Sequence, residues 1–538
     1  MVFARRSTTL LAAIIASCAM VLSLTACTSD NKTVVDGQTT VTSNSAGGVA
    51  VFTPSDGITL NQQTPLNKWA KLVPDLAKAL ADAGFKKGDI NHTTSDSLDK
   101  QSRAIQDFVV DHLSNNTTDD SGIAIAPDNM TLLVAPVVEA DASTRQYGDY
   151  VSQNLSTNDV TDEGATSDGE SSKDDSSNTE SDSTASDEQA QAVDRLVSSL
   201  KLAKESGMHV VLLGNSIEGY KPDAFVKFSD AQTIGKLQAE KMVSKLKLDK
   251  ASKDNPKYIE VLLPYTAVDE KGNANDSTFA QEAFRGIWQV LGSYYQKGVV
   301  ESPSGTLDGK STENDWQAVA YDAAKEGSTA KVLDKRLAKT DGQSTLTRID
   351  GIITMNDYIA SEVVKELDDL GYTGSAADIN PQITISGIVG NITGKKDLSR
   401  DAVPDPIKSP ENDNANDSSS SDDDADEDTS ASDKDRDSQW PLVTGYGAYV
   451  SNIPSIVNGK QWMTGMEDRQ TIATDIAQAC AKLNKDEALN SMPSIRSSEV
   501  GGVKKIPTIS EPLLAVSASN LKSALIDPGY ISLADAGL

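Results

Sequence analysis

Short apolar runs alternate along the chain with longer stretches whose apolar residues recur at helical spacing. Val49–Phe52, Thr131–Val137, Val210–Leu213, Ile259–Leu263, Ile349–Met355 and Ile383–Ile388 read as strands buried on both faces. Between them, Leu66–Ala83 closed by Gly84 and Ala192–Glu205 closed by Gly207 read as helices. Phe279, Ala283, Ile287 and Leu291 keep a 3.6-residue period, as do Ile359, Val363, Leu367 and Leu370. Strands alternating with helices predict an α/β fold of parallel sheets with helices on both faces. The number of strands exceeds one comfortable sheet, so two doubly wound lobes are expected.

Two segments break the rhythm. Residues 151–190 hold eleven acids and one base, and residues 401–440 hold fourteen acids and three bases. They carry 21 of the 30 excess negative charges and have almost nothing apolar to bury, so both are expected to be disordered insertions. A calcium-binding role would need glycine-turned ligand spacing, which these acids lack. A compact frame tolerates long surface insertions because closure entropy grows slowly with loop length.

The N-terminus has its own pattern. Arg5 and Arg6 precede an apolar run from Leu10 to Leu24, and Leu24-Thr25-Ala26 leads into Cys27. This is the layout of a secretory signal, with 1–26 removed. The residues before Cys27 resemble a bacterial lipobox, which implies lipid attachment at Cys27, palmitate among the acyl chains. An ordinary signal with an incidental cysteine is the other reading. Residues 27–46 are then a flexible polar tether. No later apolar stretch is long enough to cross a membrane.

Composition narrows the chemistry. A net charge of −30 repels phosphate backbones, so no nucleic-acid partner is expected. Three histidines and three cysteines leave little for histidine catalysis, a zinc site or a disulfide framework. Cys480 falls in register with Ile472, Ile476 and Leu483, as a buried small hydrophobe would. Residues Asp269–Ala280 fail as a calcium loop, with Lys271, Ala274 and Ala280 at three ligand or turn positions. Gly445-Tyr446-Gly447 runs on to Val450 and fails as a dinucleotide fingerprint. No hydrolase signature occurs, so the chain is not expected to be an enzyme, to use a cofactor or to bind a metal.

In open α/β sheets ligands sit beyond the carboxyl ends of the strands. Asn356-Asp357 follows one predicted strand directly, and Asn275-Asp276 closes the loop after another. Each pair can cap the following helix. Two such pairs at equivalent places also leave one residue of each free to face a cleft, where amides and carboxylates suit sugar hydroxyls. Trp69, at the start of the first helix, can either cover a pyranose face or pack in the core. The expected ligand contacts are Trp69, Asn275, Asp276, Asn356 and Asp357.

Several phrases, in order, resemble a known family. They are Phe225–Glu240 (FVKFSDAQTIGKLQAE), Asn275–Gly286 (NDSTFAQEAFRG), Asp350–Gly374 (DGIITMNDYIASEVVKELDDLGYTG), Gly459–Arg469 (GKQWMTGMEDR) and Ile506–Tyr530 (IPTISEPLLAVSASNLKSALIDPGY). They resemble the sugar-binding lipoproteins of ABC transporters, in the xylose and multiple-monosaccharide branch of the type 1 periplasmic-binding-protein fold. The likeness spans most of 47–538 outside the acidic segments. It implies two lobes joined by a three-strand hinge, with crossings near Phe225–Ser229, Trp462–Asp468 and the segment before Pro512. The first lobe would take 47–226, the second 227–461, a return to the first 462–498, and hinge plus return to the second 499–538. It also implies an anchored extracytoplasmic protein that closes on a monosaccharide and delivers it to a permease. The alternative is a sensor that presents its closed form to a membrane receptor, or an adhesive lipoprotein with a vestigial cleft. Where the family carries Asp-Arg, this chain has Leu213-Gly214-Asn215-Ser216; where the family has Gly-Gln-Asp, it has Gly445-Tyr446-Gly447. Two charged sugar contacts are thus missing.

Overall fold

In the computed structural model the described residues are 46–55, 65–115, 129–138, 144–151, 153–156, 180–268, 275–323, 325–338, 346–376 and 438–538. The signal, Cys27, the tether up to residue 45, the strand expected at Ile383–Ile388 and most of both acidic segments lie outside them.

The first sheet has seven strands, in the order Ile495–Val500, Val503–Ser510, Ala224–Lys227, His209–Leu213, Met130–Val134, Gly48–Pro54, Ile90–Ser95. All neighbours are parallel except the first two, which form an antiparallel hairpin at one edge. Alternation along the strands splits the core in two. Val49, Val51, Leu133, Val211 and Leu213 face the helices Trp69–Asp82 and Arg469–Leu483. Ala50, Phe52, Leu132, Leu212 and Val210 face the helices Leu98–Asn115 and Glu180–Glu205. This is a doubly wound sheet, as the continuous apolar strands predict. Cys480 sits in the first of these cores, and burial pushes its thiol pKa up, so it packs as a hydrophobe.

Among the described residues the second sheet has four parallel strands, Val300–Glu301, Lys257–Val261, Gly351–Ile353 and Leu442–Val443 in that order. Its core takes Ile287 and Leu291 from the helix Thr278–Gln296, and Ile359, Val363 and Leu367 from the helix Asp357–Leu370. The helix Ala231–Leu246 adds Ile234, Ala239 and Met242. Helix ends match the expected glycines, with Gly84 and Gly207 at positive φ, and Gly371 closes the helix Asp357–Leu370 in the same way. Met355, buried just after Gly351–Ile353, holds φ at 69°, a strained value for a residue with a side chain.

The chain passes between sheets at Phe228-Ser229, at Met463–Met466 and at Leu514–Ser517. The last two pair antiparallel, Met463 opposite Ser517 and Met466 opposite Leu514. The expected division at residue 499 falls inside the edge hairpin: Val503–Ser510 still belongs to the first sheet, parallel to Ala224–Lys227. Beyond Ser517, Leu521, Leu525 and Tyr530 pack with Ala448, Ile453 and Ile456.

Candidate functional site

The carboxyl ends of both sheets converge on one junction. From the first sheet come Pro136, Gly214-Asn215 and Phe228-Ser229; from the second come Asn356-Asp357 and Tyr446; between them lies Glu467. The residue types at these strand ends decide what the junction can do.

Trp69 begins its helix and is 3% exposed. It meets Tyr150 edge-on at 5.1 Å and Phe228 edge-on at 5.7 Å, while Tyr150 stacks on Phe228 at 4.8 Å. Such pairs contribute about 0.5–1.5 kcal/mol each beyond area burial. The helix start is capped from afar: Asp149 Oδ2 accepts from Trp69 N at 3.0 Å, and its Oδ1 pairs with Lys68 Nζ at 2.8 Å. In this arrangement Trp69 presents its ring to the chain's own aromatics.

Asn356 and Asp357 divide their work. Asn356 Oδ1 accepts from Ile359 N at 2.9 Å, which caps the helix, and its Nδ2 donates across the junction to Gln146 Oε1 at 3.1 Å. One side chain thus caps its helix and bonds Gln146. Asp357 is fully buried, and its carboxylate accepts from Gln461 Nε2 at 2.7 Å, Tyr449 N at 2.9 Å and Thr464 Oγ1 at 2.9 Å. Asn452 holds Gln461 in place through Gln461 Oε1 at 2.8 Å and also donates to the Asp357 carbonyl at 2.7 Å. These donors are neutral, so desolvation prevails and pushes the Asp357 pKa up to about 6. The carboxylate is occupied by donors from its own lobe and from the crossing strand Met463–Met466.

The second expected pair lies elsewhere on the same lobe. Asn275 Nδ2 donates to Thr266 O at 2.9 Å, and Asp276 Oδ1 accepts from Thr278 N at 2.9 Å and Thr278 Oγ1 at 2.7 Å. Asp276 is exposed and Asn275 half-buried. Both stabilise the turn into the helix Thr278–Gln296, whose Phe279 reaches the junction by packing on Tyr147 at 4.7 Å.

Sequence reasoning missed a buried acid at the crossings, Glu467. Glu467 Oε1 accepts from Ser229 N at 2.6 Å and lies 3.4 Å from Tyr446 Oη, which also bonds Ser229 Oγ. Burial pushes the Glu467 pKa up to about 7 and that of the Tyr446 phenol well above its ordinary value. Beside them Asn67 Oδ1 accepts from Glu467 N at 3.4 Å, and Asn67 Nδ2 is buried with no acceptor among the described residues. The signal in the sequence was the pair of departures already noted. Tyr446 reaches the crossing through Ser229 and Glu467. Asn215 Oδ1 accepts from Gln153 N at 3.0 Å, and its Nδ2 donates to Pro136 O at 2.9 Å.

No protein-family model matches the chain, and no curated protein matches it. Solved structures similar to it include an ABC transporter solute-binding protein from Clostridium phytofermentans with bound β-D-glucose. That comparison has 17% identity and a TM-score of 0.45, over 91% of this chain and 99% of that one. A carbohydrate transporter solute-binding protein from Chloroflexus aurantiacus, in complex with D-glucose, matches at 18% identity and TM-score 0.43, over 92% and 98%. A periplasmic ribose ABC transporter from Conexibacter woesei matches at 13% and 0.42, over 90% and 96%.

Proposed function

We propose that this chain is an extracytoplasmic solute-binding protein, anchored through lipid on Cys27, that captures a small ligand between its lobes and delivers it to an ABC permease. The class of ligand is a monosaccharide. The observation that supports this most is the convergence of strand carboxyl ends from two sheets, joined by three crossings, on one junction of aromatic rings, amides and buried carboxyl groups whose pKa values burial raises. Hinged lobes of this kind give closure a direction, because a ligand that touches both lobes favours the closed form by its differential affinity. Trp69 and Asn356 are the proposed contacts at the junction, and Asn275 and Asp276 the proposed contacts at its rim. Asp357 belongs to the same proposal, either touching the ligand or fixing the loop that carries Tyr446 and Tyr449.

A calorimetric and thermal-shift panel of monosaccharides on the full chain tests the reading. A ligand at 100 times its Kd adds about 2.7 kcal/mol of stability, a shift easily read. If no sugar in the panel raises the melting temperature or releases heat, the reading fails.

A further inference from the structure

We infer that residues 144–151 form a tethered occupant of the interlobe junction, which braces the lobes together and which a soluble ligand must displace. The inference takes from the proposed function only the identity of the competitor.

The segment leaves the first sheet after Met130–Val134 and returns to it through the helix Glu180–Glu205, so both of its ends belong to the first lobe. Its first-lobe anchors are close. Asp149 caps the Trp69 helix and donates through its own N to Asn67 O at 2.8 Å. Tyr150 Oη donates to Lys68 O. At Gly148, φ is 95° and an added Cβ would lie 2.6 Å from Asn67 O, so only glycine lets the backbone approach there. Farther on, Gln153 N is held by Asn215.

The same segment grips the second lobe. Gln146 Oε1 accepts from Asn356 Nδ2, and Gln146 O accepts from Tyr449 Oη at 2.7 Å. The ring of Tyr147 packs on Phe279 at 4.7 Å and near Tyr446 at 6.3 Å. Tyr147 and Val151 enter the second lobe's core while Tyr150 enters the first's. Tyr147 and Tyr150 are each 1% exposed. A segment tethered to one lobe therefore buries an aromatic in each core and bonds across the gap.

Its chemistry is that of a substitute ligand. An amide oxygen engages Asn356, and a flat ring lies against aromatic side chains, as sugar hydroxyls and a pyranose face would. Because it is covalently attached, its effective concentration is of millimolar order. A free ligand then binds only the fraction of molecules in which the segment has left, and its apparent Kd rises by the inverse of that fraction.

The test uses the full chain with Gln146→Ala, and with Gln146→Ala combined with Tyr147→Ala. Hydrogen exchange is followed at residues 67–69 and 444–449, with Met130–Val134 and Lys257–Val261 as references in the two cores. The expected result is at least tenfold faster exchange at the junction in the double variant, with unchanged core protection. Should the double variant lose core protection, Gln146→Ala alone decides by the same measure. Unchanged junction exchange overturns the inference. The sugar panel runs in parallel. Tenfold or tighter binding by the variant supports displacement, and equal binding by both proteins overturns it while leaving the proposed function intact. Faster junction exchange with no sugar bound by either protein sinks the proposed function and leaves the brace standing.

Discussion

Gly445 faces the Asp357 carboxylate so closely that a Cβ added there would lie 2.1 Å from Oδ1 and 2.7 Å from Gln461 Nε2. The glycine and the carboxylate are halves of one feature: a buried acid whose neutral donors close in until no side chain fits opposite. Gly445→Ala must push apart the Asp357–Gln461 contact. We expect a loss of about 2–4 kcal/mol, read as a lower midpoint in urea denaturation with an unchanged slope. A loss below about 0.5 kcal/mol would show that the pair can shift freely.

Asp357→Ala removes the acceptor for Gln461, Thr464 and the Tyr449 amide together. Leaving several buried donors unpaired is expected to cost about 3–5 kcal/mol. Comparing melting temperature with ligand Kd separates the two roles proposed for this residue. A contact to ligand weakens binding ten-fold to over a hundred-fold, from about 1.5–3 kcal/mol per charge-assisted bond. A purely internal role lowers stability and leaves the affinity of the folded fraction nearly unchanged.

Glu467 and Asp357 have folded pKa values of about 7 and about 6, above those of free carboxylates. The folded state therefore binds protons that the unfolded state releases. Their contribution is full below about pH 4 and is lost as pH rises through about 6 and 7. For Glu467 alone this is roughly 3 kcal/mol, at about 1.4 kcal/mol per pKa unit. Glu467→Gln should flatten the fall in melting temperature between pH 5 and pH 8 on a scale of about that size. A mutant curve parallel to that of the parent would refute this assignment.

Cys27→Ala should abolish incorporation of labelled palmitate and move the protein from the membrane to the soluble fraction. Two acyl chains hold a protein firmly because each buried methylene contributes about 0.8 kcal/mol. Retention in the membrane fraction by the alanine variant would point to a different anchor.

The frame was legible because buried parallel strands are apolar without interruption and their helices keep a clear period. Val49–Phe52, Val210–Leu213 and the Ile359 helix all lie where the pattern put them. Ile90–Ser95 (INHTTS) was not legible, since an edge strand is held by backbone pairing with Gly48–Pro54 and exposes most of its side chains. The edge hairpin escaped for a similar reason, with Arg496, Ser497, Lys504 and Lys505 facing outward. At the junction, Asn356 was visible as a polar residue at a strand end, and its capping bond could be anticipated. What it meets across the gap could not, because Gln146 lies 210 residues away in a stretch whose polar composition gives no hint of docking. Glu467 and Ser229 are likewise brought together only by the crossings, 238 residues apart.

The first sheet also sets an order of assembly. Val503–Ser510 pairs with Ala224–Lys227, and the helix Arg469–Leu483 covers one face, where Asn484 accepts from Thr131 Oγ1 at 2.6 Å over 353 residues of chain. Among the described residues the second sheet draws its strands from Lys257 to Val443, one stretch of chain. A chain emerging from its N-terminus thus completes the second sheet first, and the first sheet waits for Val503–Ser510. Loops that long close slowly, so the first sheet closes after the second, and its apolar strands stay open longest.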